Sequence, residues 1–202
     1  MRELTVVVPT FNEAPNVAAL LQRVDAALAG RVDYEVVIVD DNSPDGTAEI
    51  ARSLISRYPV RVVVRKNERG LASAVIEGFR QAQGEVVGAI DADLQHPPEK
   101  LPELLQKIRE GADVVVASRY ELGGAIESWT LGRKIVSRGA RLLAYVCTPL
   151  SQRSRDPLSG FFLLRRSVIE GIELRPIGYK ILLEILVRGN AKTVASVPFS
   201  FA

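Results

Sequence analysis

The chain has 202 residues and a mass of 22.1 kDa, with 47% apolar and 25% charged residues, which fits one globular domain and excludes disordered and fibrous classes. Twenty-six basic against 24 acidic side chains leave a net charge of +2, too small for nucleic-acid binding by bulk charge. The single cysteine, Cys147, rules out an internal disulfide and fits a reducing compartment; no signal-peptide core precedes Pro9, and no apolar run reaches the ~18 residues needed to span a bilayer, so a soluble domain is expected.

In chain order, short β-branched runs alternate with segments of helical periodicity. Leu4 to Val8, Val36 to Val39, Val60 to Val64, Glu85 to Ile90 and Asp113 to Ala117 read as strands. They do not alternate with polar residues, as expected of strands buried on both faces. Between them, the periodicity predicts helices over Asn16 to Ala29, Asp45 to Arg57, Leu71 to Gln83 and Pro98 to Glu110. Asn16, Ser43-Pro44-Asp45-Gly46-Thr47 and Pro97-Pro98-Glu99 supply helix starts, and Gly30, Gly84 and Gly111 the stops. Residues 1–118 thus read as an open, mostly parallel α/β sheet with its functional groups at the carboxyl ends of the strands. Beyond Tyr120 the rhythm breaks. An amphipathic helix is expected over 130–147, strands at Ser159 to Leu164 and Thr193 to Phe201, and a helix at Ile181 to Val187, all extending the same domain.

Three turns at strand ends carry acids: Pro9-Thr10-Phe11-Asn12-Glu13, Asp40 to Thr47, and Asp91 to Pro98. Carboxylates converging on one sheet edge repel one another unless a cation neutralises them. Asp91-Ala92-Asp93 is the sharpest cluster. Its hard oxygens, with Gln95 as a neutral ligand, suit Mg²⁺ or Mn²⁺ clamping a substrate diphosphate; the competing reading is a turn and helix cap before Pro97. Of Asp40 and Asp41, one reads as a contact to a nucleotide base or ribose and the other as structural. Glu13 either caps its helix or faces the cleft. His96, the only histidine, is expected on a surface turn stiffened by Pro97-Pro98, in a structural or a catalytic role. Cys147 reads as a core or interface residue. From Ser128 to Arg155 there are six cations and no acid, interleaved with apolar residues. This is either a solvated helix face or a surface for an anionic membrane or a phosphate-bearing acceptor.

These motifs occur together and in order with Gly70-Leu71-Ala72-Ser73-Ala74-Val75, Ser118-Arg119-Tyr120, Asp156-Pro157-Leu158-Ser159-Gly160-Phe161-Phe162 and Gly178-Tyr179-Lys180. Over nearly its whole length the sequence resembles the dolichol-phosphate (polyprenol-phosphate) mannosyltransferases among the family-2 glycosyltransferases. The resemblance implies a single GT-A domain over 1–202, with a nucleotide-sugar half (1–118) and an acceptor half (119–202). It implies inverting transfer of mannose from GDP-mannose to a dolichyl or polyprenyl phosphate at the cytoplasmic face of a membrane, dependent on Mg²⁺ or Mn²⁺. Carried over residue by residue, Pro9, Phe11, Glu13, Val39 and Asp41 would line the nucleotide site. Asp91, Ala92, Asp93 and Gln95 would hold metal and diphosphate, with Asp93 and Gln95 as direct ligands. Arg119 and Arg133 would grip phosphate, Ser137 would assist on the acceptor side, and Lys180 would contact the donor.

The chemistry agrees with an absence. The chain has neither a Glu-Asp pair nor a Gln-x-x-Arg-Trp pattern, the features that supply a general base or mark processive synthesis in hydroxyl-using relatives. A phosphate monoester, with a second pKa near 6, is already anionic at neutral pH and needs positioning but no base. Two departures stand out. Phe11 occupies the place of a usual tyrosine, and the sequence ends at Phe199-Ser200-Phe201-Ala202, ahead of the basic tail where a donor-binding arginine is expected. Donor binding is therefore expected to be weakened. Rival readings are another donor (UDP-glucose or a UDP-N-acetylhexosamine), an aspartate-dependent phosphatase, and a non-catalytic scaffold.

Overall fold

A computed structural model describes residues 2–119, 154, 156–175 and 178–199. Its centre is a seven-stranded sheet in the order β3-β2-β1-β4-β6-β5-β7, formed by β1 (Arg2–Thr10), β2 (Tyr34–Asp40), β3 (Val60–Val64), β4 (Gly84–Ala89), β5 (Val114–Ser118), β6 (Phe162–Arg165) and β7 (Val194–Pro198). Only β6 runs antiparallel, between β4 and β5. The strands read as continuous apolar runs because both faces are covered. Val6 and Val8 of β1 and Val36 and Ile38 of β2 pack under α1 (Val17–Leu28) and α4 (Leu101–Arg109). Their neighbours Val7, Val37 and Val39 pack instead under α3 (Leu71–Gln81), in a layer that continues to α5 (Ile181–Arg188).

Three expectations are corrected. The second helix, α2, covers only Thr47–Ser53, because Asp45 Oδ1 accepts the Thr47 N–H and hydroxyl and Gly46 sits at φ +86°. Asp45 therefore lies outside the helix and caps its first turn. Gly84 is not a helix stop. It opens β4, where a Cβ would stand 2.6 Å from the Thr5 backbone nitrogen, so its role is close packing of two strands. The fourth helical segment starts as a 3₁₀ turn at Pro98–Lys100 before becoming α4.

Register places the three acidic turns side by side. Thr10 lies opposite Asp40 across β1 and β2, and Val7 lies opposite Ala89 across β1 and β4. The residues that follow, Phe11, Asp41 and Asp91, therefore emerge at one edge. The expected helix at 130–147, most of the basic segment 128–155 and Cys147 lie outside the described residues.

Candidate active site

The first two turns are stitched together by backbone donors. The N–H of Asn12 bonds Ser43 Oγ (2.9 Å), that of Glu13 bonds Thr47 Oγ1 (2.9 Å), and that of Ala14 bonds Asp45 Oδ2 (3.0 Å). Asp40 is the structural acid of its pair. Fully buried, it accepts the Thr10 hydroxyl (2.9 Å), the Ser43 hydroxyl (2.6 Å) and the Ser43 N–H (2.8 Å). Asp41 lies in the cleft wall, with Oδ1 accepting Arg65 Nε (2.8 Å) and Nη2 (2.5 Å) and Oδ2 accepting the Gly70 N–H (2.8 Å). Arg65 also donates to Ser73 Oγ (2.9 Å) and the Gly70 carbonyl (3.0 Å). Gly70 adopts φ +138°, a conformation open to glycine alone. Glu13 lines the cleft and accepts the Asn16 side-chain amide (2.7 Å); its carboxylate caps no backbone N–H of α1, so the cleft reading is the one the structure favours.

The cleft encloses about 300 Å³ between Pro9, Thr10, Phe11, Glu13, Asp41, Leu71, Ala74, Asp91, Ala92 and Asp93. All but three of these (Thr10, Leu71 and Ala74) are expected site residues. Phe11 is 44% exposed, with the Arg69 guanidinium 4.9 Å from its ring centroid, a cation–π stack that keeps the ring upright at the cleft mouth. Among the residues expected to line the nucleotide site, Val39 is the exception. It is fully buried in the core under α3 and is not among the lining residues.

On the other side of Asp91 a cavity of about 60 Å³ is lined by Ser159, Gly160, Tyr179 and Lys180, among others. Lys180 Nζ donates to the Leu158 carbonyl (3.2 Å). Burial pushes the Asp91 carboxyl upward from its ordinary pKa, and the charges of Lys180 and Arg119 work against that rise, so both cations stand close to it. Arg119 is clamped by Asp156, with Nε to Oδ2 at 2.9 Å and Nη2 to Oδ1 at 3.1 Å. Asp156 is buried, and its N–H bonds Ser154 Oγ (3.1 Å).

His96 corrects its expectation. It is 4% exposed, not on a surface turn, and lies between the rings of Phe161 and Phe199. Burial lowers its pKa from 6.5 to about 4, despite the pull of Asp93 and Asp156, so the imidazole is neutral at physiological pH.

Asp93 and Gln95 are both exposed, and the Gln95 N–H bonds Asp93 Oδ1 (3.0 Å). Among the described residues no group of three or more His, Cys, Asp or Glu forms a closed metal cage. What the edge offers is an open set of hard oxygens, Asp91 and Asp93, in the cleft wall; Gln95, an expected ligand, does not line the cleft and meets Asp93 through its backbone N–H. That set fits Mg²⁺ or Mn²⁺ completing its shell with water and phosphate. Arg133 and Ser137 lie outside the described residues. Arg65, Arg69 and Asp156 are the participants that sequence reasoning missed. The only signal for Arg65 was a cation closing the apolar run Val60 to Val64.

A parallel sheet with one reversed strand, helices on both faces and an acid-lined cleft at its carboxyl edge is the architecture of GT-A glycosyltransferases. Residues 5–172 match the model of glycosyl transferase family 2, and the chain belongs to that family. It is 49% identical over 199 residues to a dolichol-phosphate mannosyltransferase of Pyrococcus furiosus, covering 98% of this chain and 56% of the relative. It is 41% identical over 208 residues to the dolichol-phosphate mannosyltransferase of Mycosarcoma maydis, covering 98% of this chain and 69% of that one. The chain thus spans little more than half the length of the archaeal relative. In fold it is similar to glucosyl-3-phosphoglycerate synthase of Mycobacterium tuberculosis, solved with Mn²⁺, UDP and glucosyl-3-phosphoglycerate (TM-score 0.72, 22% identity, 99% of this chain and 71% of that one).

Proposed function

We propose that this protein transfers mannose from GDP-mannose to a dolichyl or polyprenyl phosphate, with inversion, at the cytoplasmic face of a membrane. The observation that carries the reading is the convergence of Asp41, Asp91 and Asp93 on one cleft, with Lys180 lining the adjoining cavity beside Asp91. The names of the relatives favour mannose and the lipid phosphate.

In this reading the nucleoside occupies the side of the cleft walled by Pro9, Phe11, Glu13 and Asp41, and the diphosphate lies toward Asp91 and Asp93. Asp93 and Gln95 would hold a divalent ion, as does the fold neighbour solved with Mn²⁺; when bound, the ion supplies charge neutralisation to the departing diphosphate. A phosphate oxygen of the acceptor attacks the anomeric carbon as the bond to the diphosphate oxygen breaks, and the electron pair leaves with GDP. The acceptor dianion brings no proton to remove, which suits a site whose one histidine is buried behind Asp91. Arg119, fixed by Asp156, and Arg133 would orient the acceptor phosphate, Ser137 would assist there, and Lys180 would contact the donor. The basic stretch 128–155 would meet the anionic membrane surface.

The test is transfer of radiolabelled sugar by the full-length protein to short polyprenyl phosphates from GDP-mannose, UDP-glucose and UDP-N-acetylglucosamine. Transfer from GDP-mannose alone, in the presence of Mg²⁺ or Mn²⁺, is expected. Preference for a UDP-sugar, or no transfer to lipid phosphate, overturns the reading.

A further inference from the structure

The Asp91 carboxylate is confined by two residues to which the reaction above gives no task. His96 Nδ1 lies 3.3 Å from Asp91 Oδ2. Gly160 lies against the same oxygen: a Cβ there would stand 2.5 Å from Oδ2 and 3.0 Å from Oδ1 and Cγ. Those separations are closer than van der Waals contact allows, so a residue without a side chain is what leaves the carboxylate its place. His96 is itself held fast. Its ring centroid is 5.7 Å from that of Phe161 and 5.5 Å from that of Phe199, and the two phenylalanines meet edge-on at 6.4 Å. A phenylalanine would fill that aromatic nest equally well. What the imidazole adds is a buried nitrogen 3.3 Å from Oδ2, a polar contact rather than a formed hydrogen bond.

We propose that His96 is a positioning residue for Asp91, forming with Gly160 a mould that fixes the carboxylate between the large cleft and the small cavity. The inference rests on the proposed function, since it gives Asp91 a task toward the metal–diphosphate. A carboxylate fixed before the ligand arrives needs no reorganisation on binding, the usual contribution of residues behind a metal or phosphate site. Gly160 and Phe161 belong to the same loop, so one segment both walls the carboxylate and buttresses the imidazole.

The test uses His96→Phe, His96→Asn and Gly160→Ala in the full-length protein, with melting temperature as the check on folding and calorimetric titration of GDP in Mn²⁺ as the readout. His96→Phe keeps the aromatic packing and removes the nitrogen. In His96→Asn the side-chain amide nitrogen sits at the δ position of the imidazole and can restore the contact. Gly160→Ala pushes directly on the carboxylate. Folded His96→Phe and Gly160→Ala are expected to lose at least about tenfold in Mn²⁺-dependent GDP affinity, with His96→Asn recovering most of it. A folded His96→Phe within about twofold of wild type, or His96→Asn no better than His96→Phe, overturns the mould. If His96→Phe does not fold, Gly160→Ala decides by the same twofold criterion. Absence of Mn²⁺-dependent GDP binding in the wild type overturns the functional reading, and the mould with it.

Discussion

Asp40 and Asp41 are adjacent in the chain and held by different partners. Asp40 is consumed by hydroxyl and backbone donors of the two turns it joins, while Asp41, also buried, lines the cleft with its oxygens bonded to Arg65 and the Gly70 N–H. The sequence shows two acids at a strand end but not which is which, because the choice depends on Arg65 and Gly70, brought there by β3 and the start of α3. The burial of His96 is hidden in the sequence for the same reason: it is created by Phe161 and Phe199, which arrive from far along the chain. That burial has a consequence in acid. The folded-state pKa is lowered from 6.5 to about 4, with Asp93 and Asp156 raising it and Arg119 and Lys180 lowering it around the neighbouring Asp91. Between those values the unfolded chain takes up a proton that the folded chain refuses. The His96 contribution is therefore complete above pH 6.5 and is lost as pH falls toward 4, by at most about 3 kcal/mol. Urea unfolding in EDTA should show wild type losing more stability than His96→Phe between neutral pH and the lower end of that window. Equal losses would contradict the assignment.

At the scale of elements, strands were legible because a doubly covered parallel sheet leaves an unbroken apolar signature. Helix ends were less so. Asp45 reads as helical by period, yet caps α2 from outside through the Thr47 N–H and hydroxyl. Gly84 reads as a stop, yet serves the approach of β4 to β1. Gly78, in the middle of α3, has a like purpose: a Cβ there would overlap the Val7 side chain of β1, so the helix lies close on the strand that leads to Pro9. Gly78→Ala gains about 1 kcal/mol of helix propensity and forces overpacking worth about 1–3 kcal/mol. A net loss of about 1 kcal/mol, or about 2–4 °C in melting temperature, is expected. A more stable variant would show that α3 can move away from β1 without cost.

For the molecule as a whole, the acid-bearing turns meet because β2, β1 and β4 are neighbours in parallel register. The alternating strand and helix periods carry that convergence in the sequence itself. The cations that balance the acids were legible only in part. Lys180 arrives just ahead of α5, and Arg119 needed a buried partner, Asp156, that no local pattern identifies. The proposed function requires this edge to bind a nucleotide sugar through a divalent ion held by the turn after β4. Calorimetric titration of GDP-mannose in Mn²⁺ into wild type and Asp93→Ala tests it most directly. Asp93 is exposed, so the variant should keep the wild-type melting temperature while Mn²⁺-dependent binding disappears. Unchanged binding by a folded Asp93→Ala would contradict the account.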